Sequence, residues 1–225
     1  MTVVVKCGGA VAGETAPAVL ALAAAGNRVC VVHGAGPQIS ARMEERGIDV
    51  RFVDGRRVTA GDAIGVVRHA MQSVNRELCA AIGPAAVGLM GDQIGVEAER
   101  IPKLGHVGAA SPARPRAVVD ALGRDLIPVV ASLAKGPLNV NADEMAAALA
   151  VGLDAEQLFF MTDVPGVLIE GRVVPSMGAE ETGRLLDAGA FTGGMVPKLR
   201  AAVSAAGSGI GVQIGITSVL AAEGL

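Results

Sequence analysis

Thr2–Gly9 reads TVVVKCGG and Arg28–Pro37 reads RVCVVHGAGP. Each is a β-branched apolar run that ends on glycines. A continuous run of this kind is the pattern of a strand buried on both faces of a parallel sheet. Between them Thr15–Ala25 has a helical composition and closes at Gly26-Asn27. After the second run, Gly36–Arg46 reads as a helix with Pro37 in its first turn and Gly47 at its end. Strand, helix, strand, helix is the opening of a parallel sheet covered by helices.

The alternation continues outward. Helices are predicted over Asp62–Ala81, Arg116–Leu122, Ala142–Val151, Ala179–Ala188 and Pro197–Ala206. Strands are predicted at Ala85–Leu89, Leu126–Ala131 and Gln157–Met161, with Gly211–Ile216 the last. Hairpins are expected in Ile48–Val58 around Asp54-Gly55 and in Val167–Val174 around Glu170-Gly171. Gly95–Ser111 reads as polar and irregular. The expected fold is α/β: a three-layer αβα sandwich around a central, mostly parallel sheet. No linker rich in Pro, Gly or Ser separates two bodies, and no internal repeat is present.

Composition narrows the function. The chain has 225 residues, 51% hydrophobic, with a net charge of -3, which excludes a disordered chain and argues against a dedicated nucleic-acid binder. Trp and Tyr are absent and Phe numbers 4, so stacking on bases is a poor prospect. Cys7, Cys30 and Cys79 have no metal-ligand spacing and read as buried free thiols. No secretion signal is seen at the start, and Ala16–Ala25 is too short to span a bilayer. A cytoplasmic protein without a membrane or nucleic-acid partner is expected.

In open α/β sheets ligands bind beyond the carboxyl ends of the strands. Lys6 and Gly8-Gly9 end the first strand, and His33-Gly34-Ala35-Gly36-Pro37 ends the second. Glycine turns there can aim backbone N–H groups at an anion, or can be ordinary tight turns. Surface charge is carried by arginine, since the chain has fifteen arginines and four lysines. Lys6 in an apolar strand is therefore costly unless it reaches an anion; the alternative is a snorkelling side chain. Lys198 follows Thr192-Gly193-Gly194-Met195, and is either a second phosphate ligand or a solvated helix residue. Asn139, Asn141 and Asp143 alternate ahead of an Ala-rich helix, more polar groups than a cap requires. Asp54–Thr59 carries Arg56 and Arg57, able to grip a carboxylate or simply to solvate a hairpin tip. No G-x-x-x-x-G-K-[ST] occurs, no G-x-G-x-x-G follows the first strand, and His33, His69 and His106 have no metal-ligand spacing.

Taken in order, KCGGA, VVHGAGPQI, GRRVT, AAVGLMGD, LGHVG, LIPVVAS, LNVNADEMAAALA, MTDVPGVL and FTGGMVPKL resemble the amino-acid kinase family, and its acetylglutamate branch most closely. The resemblance runs from residue 2 to about residue 215. It implies transfer of the γ-phosphoryl group of ATP to the γ-carboxylate of N-acetyl-L-glutamate, in arginine biosynthesis, with Mg²⁺ held mainly by the phosphates. It makes Lys6 and Lys198 the charge-neutralising catalytic groups and Asp143 the residue that orients them. Gly8, Gly9, Gly34, Ala35 and Gly36 would offer backbone N–H groups to the phosphoryl group and the substrate. Arg57 would bind the substrate α-carboxylate, and Asn139, with Asn141 beside it, the acetamido end. Thr162, Asp163, Val164, Gly166, Val167 and Leu168 would line the ATP site, with Phe191, Thr192, Gly193, Gly194 and Met195.

The resemblance also implies an N-terminal lobe over residues 1–153, for the acyl substrate and dimerisation, and an ATP lobe over 154–225 sharing one sheet. A homodimer is the family's usual state. Arginine-inhibited members carry an extra N-terminal helix, and a first strand starting at Thr2 leads us to expect a dimer without that inhibition. The family's second turn is H-G-G-G, and the methyl of Ala35 is expected to tilt the pocket or restrict φ. Two alternatives remain at this point: a kinase of the same fold acting on carrier-protein-bound glutamate or aminoadipate, or a catalytically silent binding module.

Overall fold

β1 (Thr2–Cys7) is buried along its whole length, as its apolar run demands. The computed structural model describes residues 1–8 and 12–221, side chains at 12–14 excepted. After β1 come α1 (Ala12–Ala24), β2 (Arg28–His33), α2 (Gly36–Glu44), β3 (Phe52–Val53), β4 (Arg56–Arg57), α3 (Ala63–Ile82) and β5 (Ala86–Met90). The middle of the chain forms β6 (Ala98–Arg100), β7 (Val107–Ala110), α4 (Arg116–Leu122), β8 (Ile127–Ala131), β9 (Leu133–Ala134), β10 (Leu138–Val140) and α5 (Ala142–Gly152). It ends with β11 (Gln157–Phe160), β12 (Leu168–Ile169), β13 (Arg172–Val173), β14 (Ser176–Gly178), α6 (Ala179–Asp187), α7 (Met195–Gly207), β15 (Gly211–Ile214) and β16 (Thr217–Leu220).

The main sheet has the order β14-β16-β15-β11-β1-β2-β8-β5. All its pairings are parallel except β15 with β16. One apolar cluster joins it to α1, α2 and α3, and another joins its opposite face to α4, α5, α6 and α7. This is the three-layer sandwich expected from the sequence. Strand periodicity then assigns the site residues to faces. Val3, Val5 and Cys7 pack toward α1–α3 and Val4 packs toward α5, so Lys6 turns to the α5 face. Along β2, Val29 and Val31 pack toward α3, and His33 follows them.

Three expectations change in detail. Gly95–Ser111 is not irregular: β6 and β7 lie in it, within a second sheet of order β6-β7-β10-β9. β6 pairs with β7 inside the segment and β7 with β10 outside it, and strands of three and four residues are too short for alternation to reveal. Gly211–Ile216 is not the last strand, because the chain turns at Gly215-Ile216 and returns as β16. α1 starts at Ala12 rather than Thr15 and carries Pro17 inside it.

Burial pushes the Cys7 thiol up to about 11 and the Cys30 thiol up to about 12, so both are inert at neutral pH. Among the described residues no helix is long and apolar enough to cross a membrane.

Candidate active site

Asn141 precedes α5, and its side-chain oxygen accepts hydrogen bonds from the backbone N–H of Asp143 at 2.8 Å and of Glu144 at 3.2 Å. Such a cap stabilises a helix by about 1 kcal/mol and fixes its first turn. Asp143 in that turn meets two lysines. Lys6 Nζ lies 2.9 Å and Lys198 Nζ 3.3 Å from the same oxygen, Asp143 Oδ1. Lys6 comes from β1 and Lys198 from the second half of the chain, in the first turn of α7. All three are nearly buried, at 8%, 6% and 8% exposure for Lys6, Asp143 and Lys198.

Burial alone would push the Asp143 carboxyl up, but the two ammonium groups hold it below the usual carboxylate range. Burial pushes Lys198 below the usual lysine range, Asp143 opposes this, and the nearby Lys6 adds to it. The Lys198 ammonium also sits over the Phe160 ring, 5.4 Å from its centroid. Two cations against one anion leave a buried positive charge, which favours a further anion. The N-termini of α2, α5 and α7 border the same region and add positive potential.

Two clefts meet at this cluster. One, of about 270 Å³, is lined by Gly34, Ala35, Gly36, Arg57, Asn139 and Asn141 among others. The other, of about 410 Å³, is lined by Met161, Thr162, Asp163, Val164, Gly194, Met195 and Lys198. Lys6, Gly8 and Asp143 belong to both. A molecule in either cleft therefore reaches the same pair of charges.

The first cleft is tied down by its own walls. A Cβ on Gly34 would stand 3.2 Å from that of Ala142, so the turn packs closely on the start of α5. The Ala35 methyl is buried with the α1–α3 cluster, and its φ of -144° is open to any residue. The added methyl thus strains no backbone, contrary to expectation. Arg57 Nη2 donates to the carbonyl of Gly36 at 2.9 Å and to Ser40 Oγ at 2.8 Å. Its guanidinium carbon lies 4.6 Å from the Phe52 ring centroid. Part of the Arg57 fork is therefore committed to the turn before any ligand arrives. Asn139 Nδ2 donates to Thr59 Oγ1 at 3.1 Å, and Asn141 Nδ2 to the Gly55 carbonyl at 3.0 Å. Arg56 pairs with Glu144 at 2.9 Å.

The structure divides the residues expected at the nucleotide site. Thr162, Asp163, Val164, Gly194 and Met195 line the second cleft. Val167 and Phe191 belong to the apolar cluster, and Gly166 is packed against Thr217 and Val173. Leu168, Thr192 and Gly193 are exposed and are not among that cleft's lining residues. Gly9 lies outside the described residues. Phe52, Met71 and Ser132 line the first cleft without having been singled out. For Phe52 a signal existed: a turn at Asp54-Gly55 places Phe52 opposite Arg57, as observed. Among the described residues no group of three or more His, Cys, Asp or Glu side chains is placed to hold a metal ion.

The model of the amino acid kinase family matches residues 1–215. The chain belongs to the amino acid kinase family. Within it, the chain is 40% identical over 219 residues to an acetylglutamate kinase of Geobacillus kaustophilus (strain HTA426), covering 91% of this chain and 85% of that one. An acetylglutamate kinase of Solibacter usitatus (strain Ellin6076) is 42% identical over 227 residues, covering 93% and 88%. Among solved structures, smu.665 from Streptococcus mutans UA159 superposes with a TM-score of 0.89 at 31% identity, over 97% of this kinase and 98% of that chain.

Proposed function

We propose that the protein is an ATP-dependent kinase that phosphorylates the γ-carboxylate of N-acetyl-L-glutamate, in arginine biosynthesis. The observation that carries this reading is the Lys6–Asp143–Lys198 cluster where two clefts meet, with Lys6 and Asp143 lining both. A carboxylate acceptor is already ionised at neutral pH, so its attack needs no general base. Charge is the main obstacle, because an anion must approach the polyanionic phosphates. Two ammonium groups between the clefts answer that need, and Asp143 is occupied in holding them. In the reaction a carboxylate oxygen bonds to the γ-phosphorus as the bond to the β-phosphate oxygen breaks, and ADP leaves with the electron pair. No protein group is covalently modified.

In this reading the acyl substrate occupies the cleft of Gly34–Gly36. The Arg57 guanidinium, which lines that cleft, takes its α-carboxylate, and Asn139 faces its acetamido end. The backbone N–H groups of Gly8, Gly34, Ala35 and Gly36 serve the reacting oxygens. ATP occupies the cleft of Thr162–Val164 and Gly194–Met195. Thr162 and Asp163 supply oxygen donors of the kind Mg²⁺ accepts, with the phosphates as its main ligands. Residues 1–153 and 154–225 act as acyl and nucleotide lobes over one sheet, and two chains form a dimer. The test is ADP release coupled to hydroxylamine trapping, with N-acetylglutamate, glutamate, aspartate and aminoadipate compared. Hydroxamate equal to ADP with N-acetylglutamate alone is expected. Preference for another acceptor, or no turnover, refutes the assignment.

A further inference from the structure

His33 stands at the end of β2, fully buried on the face opposite Lys6. Its Nε2 lies 3.0 Å from Asn75 Nδ2, on α3. The same Nδ2 donates to the carbonyl of Val129 on β8 at 2.8 Å. A carbonyl only accepts, so the Asn75 nitrogen, not its oxygen, faces both groups. His33 Nε2 is then the acceptor and Nδ1 carries the proton. Nδ1 lies 3.1 Å from the carbonyl oxygen of Gly34, to which it donates. Burial pushes the imidazole down to about 4, so the ring stays neutral and this tautomer persists at working pH.

The carbonyl of Gly34 and the N–H of Ala35 belong to one planar trans peptide and point in opposite directions. Holding the carbonyl toward the His33 ring turns the Ala35 N–H away from it, on a turn that lines the acyl-side cleft. We infer that His33 and Asn75 are positioning residues: a relay from Val129 through Asn75 and His33 sets the Gly34–Ala35 peptide so that its N–H faces the reacting carboxylate. The relay rests on the proposed function for the identity of that carboxylate. It explains a histidine that neither binds nor exchanges a proton with substrate.

Nitrogen-15 NMR of the imidazoles tests the first link. The chain has three histidines, so assignment by single substitution is direct. A ring protonated at Nδ1 and bare at Nε2 is expected for His33, and the opposite tautomer overturns the relay. Kinetics test the second link. His33→Phe fills the space without a donor and should lower kcat by about 10- to 100-fold, with KM for ATP unchanged. His33→Asn, whose amide nitrogen can stand near the Nδ1 position, should recover most of that loss. Equal losses in both variants, or none in either, overturn the inference. If His33→Phe does not fold, Asn75→Asp replaces it. There the ring should move its proton to Nε2 and kcat should fall in parallel; an unmoved proton or unchanged kcat overturns the inference. Absence of wild-type turnover would refute the substrate assignment alone, since the ring tautomer still decides the relay.

Discussion

The two clefts differ in how firmly their walls are held. On the acyl side, Arg57 grips Gly36 and Ser40, Asn139 grips Thr59, Asn141 grips Gly55, and His33 is held by Asn75. On the nucleotide side, Thr162 and Asp163 make one contact at 3.4 Å, and Thr162 Oγ1 meets the Val164 N–H at 3.5 Å. Gly194 is exposed and Met195 half-buried at the start of α7. On the proposed assignment, one side is preorganised for a small carboxylate, while the other would gain most of its polar contacts from the nucleotide. The sides touch at Gly55, whose φ of +75° favours glycine and whose missing Cβ would lie 2.7 Å from Pro197. The tip of the β3–β4 hairpin thus rests on the residue before Lys198.

The largest effect should follow loss of the group common to both clefts. Lys6→Ala removes one of two preorganised cations and should lower kcat by about 10³-fold, with weaker binding on both sides. Kinetics with each substrate varied in turn check this, and a defect confined to one substrate would break the symmetry claimed for Lys6.

The buried relay on the tied side should appear in stability. The folded pKa of His33, about 4, lies below the ordinary 6.5, so the unfolded chain binds the extra proton. Its stabilising contribution is complete above pH 6.5 and is lost as pH falls toward 4, roughly 3 kcal/mol in all. Urea unfolding across that range should show the loss, and His33→Phe should flatten it.

Arg57→Lys keeps the charge but loses the fork and the ties to Gly36 and Ser40. KM for the acyl substrate should rise by about tenfold or more, with KM for ATP unchanged. Arg56 also lines the acyl-side cleft but is paired with Glu144, with side chains 25% and 21% exposed. Arg56→Ala should leave both KM values within about twofold and cost roughly 1 kcal/mol or less of stability. Equal kinetic defects at both arginines would show that the hairpin acts by its fold alone.

The parts legible in the sequence are those whose signal is local. Lys6 stands out because a lysine within an apolar strand is costly unless it reaches an anion or snorkels to solvent, and Asn141 because a polar residue before an Ala-rich run reads as a cap. The main-sheet strands β1, β2, β8 and β11 are continuous apolar runs, so their pattern does not depend on partners. β6, β7 and β16 are three or four residues long and are defined by pairing, β6 with β7, β7 with β10 and β16 with β15. The tie of Asn75 to His33 joins residues 42 apart, and no spacing rule connects them. The burial of Val167 and Phe191 was equally hidden, since their neighbours in the same two motifs do line the nucleotide cleft while these two side chains turn into the apolar cluster.

The most direct test of the charge cluster between the clefts is Lys198→Ala, because Lys198 lines the nucleotide cleft and not the acyl one. Its kcat and its affinity for N-acetylglutamate should be measured together, by steady-state kinetics and by calorimetry. The account predicts a fall in kcat of about 10²- to 10³-fold with the N-acetylglutamate Kd unchanged. A kcat within a few-fold of wild type would contradict it.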